Sequence, residues 1–203
     1  PLTFTITVNP LGQVNDPTDQ VVCAGSATTA VVFGTTNSGG TTTYNWTNSD
    51  ATIGLAASGS GNIASFTAVN GGTAPVTATI TVTPRFTNGG IPCDGTPETF
   101  TIIVNPQGQV NDPSDQVLCN GGTVAAINFT TNNTIGTTTY SWTNTATGIG
   151  LAASGTGNIA SFTASNITTA PIVATITVTP HFEHEGKICD GPTQTFTITF
   201  KPT

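Results

Sequence analysis

TFTIIVNP, residues 99–106, decides the architecture, because it recurs at a fixed distance as TFTITVNP at 3–10 and TFTITFKP at 195–202, 96 residues away on either side. Self-similarity at one period marks a chain built from repeated units. Sliding residues 9–104 onto 105–200 needs no gap, and 60 of the 96 aligned positions are identical. The chain is therefore read as repeat 1 at 9–104 and repeat 2 at 105–203. Three copies of the strand for two units make residues 1–8 the trailing or donated last strand of a preceding repeat, and the whole a window cut from a longer array.

Composition fits small all-β units. A period of 96 residues is the size of a β-sandwich domain, and the chain has 23 Gly, 13 Pro, no Met and only 6% charged residues. No amphipathic helix is legible. Three basic residues (Arg85, Lys187, Lys201) stand against ten acidic ones, giving a net charge of −7. That excludes a cationic surface for nucleic acid. No apolar run reaches the roughly 20 residues that span a bilayer, so no membrane insertion is expected, and any secretion signal is placed outside this window.

The strands read most clearly where the pattern has a period of two. Val76, Ala78, Ile80 and Val82 alternate with Thr77, Thr79, Thr81 and Thr83, giving one apolar face and one threonine face. This strand and the closing one, Phe100, Ile102 and Val104, are predicted to form a hairpin. Upstream, TTYNWT (42–47) puts Tyr44 and Trp46 on one face. Comparison of the copies (Val31 and Phe33 against Ile127 and Phe129, but Val32 against Asn128) sends the odd positions of 28–36 inward. Residues 62–68 complete the set of strands. The predicted core comprises Tyr44, Trp46, Phe66 and Phe100, with Tyr140, Trp142, Phe162 and Phe196 in the second repeat. About seven short strands per unit, with turn signals every 8 to 12 residues, predict two tandem immunoglobulin-like sandwiches.

The cysteines, Cys23, Cys93, Cys119 and Cys189, fall at the same two offsets in each unit, 70 residues apart. No metal-type CxxC spacing occurs. Pairing within each unit, Cys23 with Cys93 and Cys119 with Cys189, is the simplest of the three possible connectivities, and it predicts an oxidising, extracellular location.

The strings TTYxWTN, IGLAASGxGNIxSFTA, APxxATITVTP and CDGxPxTFTI together resemble the PKD-like, immunoglobulin-like tandem repeats of very large secreted Bacteroidota proteins. The resemblance covers residues 44–48, 53–68, 74–84 and 99–106 and their counterparts 96 residues later. It implies spacer units of cell-surface adhesins or gliding-associated filaments exported by the type IX system. It supplies no ligand.

Several motifs invite a functional reading. GQVNDPTDQ and GQVNDPSDQ are read as junctions between domains, where Asp16, Asp19, Asp112 and Asp115 would offer oxygen ligands to Ca²⁺; the competing reading is an Asn-Asp-Pro turn with local hydrogen bonds. The tip His181, Glu183, His184, Glu185 could hold Zn²⁺ or Cu²⁺, yet the first unit has Arg85, Thr87, Asn88 and Gly89 there, as expected of a drifting loop. Both histidines lie in that one stretch, and no Ser-His-Asp or Cys-His constellation is expected in either unit, so no enzyme is expected. An isopeptide crosslink is ruled out for unit 1, which has no lysine. Thr77, Thr79, Thr81 and Thr83 beside Thr99 and Thr101 would form an uncharged ladder able to meet a glycan or another chain, or simply a soluble β face. Asn45 and Asn128 lie in N-x-T sequons to which no role is given. With so few basic residues the sheet edges lack the usual lysine protection, and residues 3–8 could add to one. The functional expectation is a structural spacer whose partners are neighbouring repeats. The alternatives are a filament subunit that donates its first strand to other copies of itself, and a module binding surface glycans.

Overall fold

The computed structural model describes residues 1–202. The chain divides into two compact units, residues 1–71 with 76–104 and residues 105–203 with 72–75. Both are all-β sandwiches of immunoglobulin-like type.

In the first unit one layer is a regular sheet. It is built from β1 (Gln20–Cys23), β2 (Thr41–Asn48), β3 (Ser58–Ser60), β4 (Val76–Asn88), β5 (Ile91–Asp94) and β6 (Glu98–Asn105) in the order β1-β6-β4-β2-β3, with β5 beside the far half of β4. The long strand β4 is the axis. Its alternation is strict, with Ala78, Ile80, Val82 and Phe86 at most 1% exposed while the threonines between them face out. It pairs antiparallel with β6 (Ile80 opposite Phe100) on one side and with β2 (Val82 opposite Trp46) on the other. Both edges are short, three residues in β3 and four in β1. Short edges limit strand addition without lysine.

The facing layer differs from expectation. Residues 28–36 and 62–68 meet only through isolated bridges, Ala27 with Thr67 and Val31 with Ile63. Side chains take over the remaining pairing: Thr28 Oγ1 accepts from the Phe66 amide at 3.1 Å, and Asn62 Oδ1 accepts from the Phe33 amide at 3.0 Å. Polar side chains standing in for backbone partners let the layer stay extended without a regular ladder. Val31, Phe33 and Ile63 point inward, and Val32 is exposed. They close a core with Trp46, Ile80, Phe100 and Ile102, against which Tyr44 and Phe66 pack from the rim.

The second unit repeats the plan with β7 (Gln116–Cys119), β8 (Thr123–Val124), β9 (Thr137–Asn144), β10 (Ser154–Thr156), β11 (Phe162–Thr163), β12 (Ile172–His184), β13 (Lys187–Asp190) and β14 (Gln194–Lys201). Its main sheet runs β10-β9-β12-β14-β7, with β13 beside β12. The edge strand β7 is parallel to β14. Here β8 and β11 form a two-stranded piece of the facing layer. Tyr140, Trp142 and Phe196 belong to the core, and Phe162 packs against it.

One turn differs between the copies in a way that predicts a stabilising change. Ile135 adopts φ +58° and is exposed, whereas its counterpart in the first unit is Gly39 at φ +78°. A left-handed backbone costs a β-branched residue about 1–2 kcal/mol. Ile135→Gly should therefore raise the unfolding free energy of the second unit by about 1 kcal/mol, read as a higher urea midpoint for that unit alone.

Candidate functional sites

The acidic stretch read as a junction is an integral part of the sandwich it opens. Gly12 donates to Cys93 O at 3.2 Å, Asn15 N to Gly34 O at 2.9 Å, and Asn15 Oδ1 accepts from the Gly34 amide. Asn37 holds the stretch from the side, accepting from Gln13 N at 2.8 Å and donating to Leu11 O at 3.0 Å. Asp19 Oδ1 accepts from the Thr101 amide at 2.6 Å, and Asp115 Oδ1 from the Thr197 amide at 2.6 Å. Those two carboxylates cap the closing strand where β1 and β7 have not yet begun to pair with it. Asp16 and Asp112 are exposed. Among the described residues no three His, Cys, Asp or Glu side chains gather into a metal-binding group.

The VNP motif carries a role the sequence reading missed. Asn105 is fully buried; its Nδ2 donates to His184 O at 2.9 Å and its Oδ1 meets His184 Nδ1 at 3.2 Å. Asn9 does the same in the first unit, to Asn88 O at 2.9 Å. One asparagine thus clasps the tip of each long hairpin. Its recurrence 96 residues apart was the available signal.

His181 is not a tip residue but a strand residue of β12, opposite Asp190 of β13. Its Nδ1 lies 2.6 Å from Asp190 Oδ1 and its Nε2 2.8 Å from Ser141 Oγ of β9. This corrects the expectation that no Ser-His-Asp constellation could form. The connectivity is that of a nucleophile, base and orienting acid, at the rim of an open depression of about 440 Å³. Acyl chemistry also needs donors aimed at a developing oxyanion. Ser141 sits mid-strand, paired with Thr156 on one side and Thr179 on the other. The sister unit shows what the position does structurally. There Arg85 Nη2 binds Asp94 Oδ2 at 2.9 Å across the same two strands. Its hydrogen bond to Arg85 holds the Asp94 carboxyl below the usual carboxylate range. That tie is present at neutral pH and lost as pH falls through the lowered value, and with half-exposed partners its contribution is slight.

The cysteine pairing departs from expectation. Cys23 and Cys189 are the disulfide-bonded cysteines, and Cys93 and Cys119 carry free thiols. Geometry within a unit explains why. Cys119 lies opposite Lys201 at one end of the sheet, and Cys189 opposite Phe182 at the other. Phe200 faces Ile172, so the two are eleven residue rows apart, about 35 Å along the strands. A disulfide needs Cα atoms within about 7 Å. The first unit has the same layout, with Cys23 ending β1 and Cys93 opposite Phe86.

Residues 3–8 form no strand with the rest of the described chain, and Leu2, Phe4, Ile6 and Val8 are 79% to 104% exposed. Their counterparts Phe100, Ile102 and Val104 are at most 2% exposed. Each sandwich already contains its own copy of this strand, β6 and β14. The threonines of β4, β9, β12 and β14 do line the outer sheet faces, and no helix among the described residues is long and apolar enough to cross a membrane.

These features define a class, the tandem immunoglobulin-like sandwich. No protein-family model and no curated protein matches the chain. Among solved structures, similarity is found to the I9–I11 tandem of titin (10% identity, TM-score 0.37), over 95% of this chain and 66% of that one. The Ig1-2 module of the Drosophila receptor protein tyrosine phosphatase DLAR gives 11% identity and TM-score 0.30 over 93% and 99%. Human mucin-like protocadherin EC1-2 gives 11% and 0.34 over 94% and 98%.

Proposed function

We propose that the two sandwiches are structural spacer repeats of a long secreted surface protein, with no chemistry of their own. The observation that carries this reading is the gap-free 96-residue repeat with 60 identities, in which core, clasp and capping residues recur while the Ser141–His181–Asp190 group does not. A shared binding or catalytic function would be expected to keep its site in both copies. The bonded cysteines support an oxidising, extracellular setting. The Bacteroidota surface origin, type IX export and adhesin or filament context belong to the same proposal, on the resemblance of the motifs. Each unit would contribute roughly 40 Å of reach, from the 13 residues of β4 at about 3.3 Å each.

Single-molecule pulling on the chain ends tests the mechanical part. With reductant, two unfolding events are expected, each releasing about 300 Å, from roughly 96 residues at about 3.6 Å less the folded length. A glycan array should give no selective signal, and a saturable signal lost on altering the threonine face would replace the spacer with a binding module.

A further inference from the structure

We infer that the Asn88–Gly89 step is a site of spontaneous deamidation, and that the reaction unlatches the hairpin tip of the first unit while the second is spared. The chemistry needs only water. The Gly89 backbone nitrogen attacks the side-chain carbonyl carbon of Asn88 and forms a C–N bond; the bond to Nδ2 breaks, and ammonia leaves carrying the Gly89 proton. Water then opens the resulting succinimide at either carbonyl, leaving aspartate or isoaspartate at position 88. A following glycine favours ring closure, because it has no Cβ to crowd the approach and its backbone turns freely. The chain has three Asn-Gly steps, at residues 70–71, 88–89 and 120–121. They are held differently. Asn88 ends β4, and Gly89 and Gly90, at φ +59° and +76°, carry the chain to Ile91 at the start of β5. Among the described residues nothing accepts from the Gly89 amide, so the attacking nitrogen is unengaged. Gly121, by contrast, donates to Ala164 O at 2.8 Å, and Asn120 Oδ1 accepts from the Asn166 amide at 2.9 Å. Asn70 is tied through Nδ2 to Val104 O at 2.8 Å, on the buried end of β6. Asn88 gives up only a 3.1 Å contact between two side chains, from its Nδ2 to Asn9 Oδ1.

That contact is part of the clasp. Asn9 Nδ2 donates to Asn88 O at 2.9 Å and to Ile91 O at 3.3 Å, while its Oδ1 accepts from Asn88 Nδ2. An aspartate at 88 sets a carboxylate oxygen against Asn9 Oδ1, acceptor against acceptor. Asn9 cannot turn its amide round without losing both backbone carbonyls. Isoaspartate adds a methylene to the main chain where Asn88 pairs with Ile91, and so disturbs the first rung after the turn. The second unit has His184, Glu185 and Gly186 at this tip. It offers no Asn-Gly step there, so its clasp does not age in this way.

The test is incubation of the 203-residue chain at mildly alkaline pH in heavy-oxygen water, followed over weeks by peptide mapping and mass spectrometry. Asn88 is expected to convert at least about fivefold faster than Asn120, the rate equivalent of one further hydrogen bond to be broken, and faster than Asn70. The isoaspartyl form should be in excess. Asn88→Gln should stay unconverted, since the longer side chain would have to close a larger, slower-forming ring. Asn88→Asp supplies the product without ageing. In that variant, hydrogen exchange should quicken in peptides covering residue 9 and β5 and stay unchanged in those covering β12 and β13, while slow exchange in the middle of β4 reports that the fold is kept. The inference is overturned if Asn70 or Asn120 converts as fast as Asn88, if Asn88 stays intact while an unfolded peptide of the same sequence converts, or if Asn88→Asp leaves exchange at the tip unchanged. The spacer reading is tested separately, by the pulling experiment.

Discussion

Alanine at Gly95 is expected to destabilise the first unit by about 3 kcal/mol, at the upper end of what overpacking costs, because the crowding atoms are backbone. A Cβ there would lie 1.8 Å from Gly12 O and 2.6 Å from Gly12 C. Gly12 is itself pinned: it donates to Cys93 O, and its own Cβ would lie 2.6 Å from Pro84 O. Neither partner can retreat without opening the contact that seats residues 12–19 on the sheet. Gly191 and Gly108 repeat the arrangement, with 1.7 Å to the Gly108 oxygen, so Gly191→Ala should do the same to the second unit. Gly71→Ala is the control. No atom lies within 4 Å of its Cβ position, and it should be neutral or slightly stabilising. Urea unfolding followed by hydrogen exchange of peptides from each unit checks both. A loss under about 1 kcal/mol for Gly95→Ala would mean that residues 12–19 ride loosely over the sheet, and would return them to the role of a linker.

That contact also marks where sequence reasoning stopped. The alternation of Val76 to Val82 with threonine needs only the period of a strand, and it located the hairpin and the inward face; the same period in TTYNWT located the core tryptophan. CDG was legible as part of a recurring motif, but not as a glycine facing another glycine more than 80 residues earlier, because close approach between distant segments leaves no local pattern. The same reason hid the Asp19 cap on the Thr101 amide and the Asn105 clasp on the hairpin tip. Each looks like loop chemistry until its partner strand is in place. The facing layer was over-read because Thr28 and Asn62 satisfy amides that a ladder would otherwise bind. The cysteines were paired by economy of spacing, and spacing carries no information about which end of a 13-residue strand each one reaches. Ser141, His181 and Asp190 were missed for a related reason: strand register across β9, β12 and β13 brings them together, not sequence proximity.

Gly155→Ala is expected to cost the second unit about 2 to 3 kcal/mol, through the tryptophan rather than the backbone. Gly155 is paired opposite Trp142, and a Cβ there would lie 2.2 Å from Trp142 Cζ2 and 2.6 Å from Cε2. The indole therefore lies flat over a position that must lack a side chain, and Gly59 under Trp46 repeats this at 2.2 Å. The ring is 7% exposed, and its Nε1 is buried without a hydrogen-bond partner in both units. A donor left unpaired in a core is itself unfavourable by about 1–3 kcal/mol. Trp142→Phe removes that donor and the part of the ring nearest Gly155 together, so it should cost less than the lost apolar area alone would suggest. The two changes should also be coupled. With phenylalanine in place the alanine methyl has room, and the double variant should be more stable than the sum of the single losses by at least about 1 kcal/mol, within the range for contacting residues. Strict additivity in that double-mutant cycle would show that the glycine is required for a reason other than the indole. Coupling of the expected sign would make the GSGN and GTGN glycines a packing requirement of the tryptophan, and would explain why both occur once per repeat.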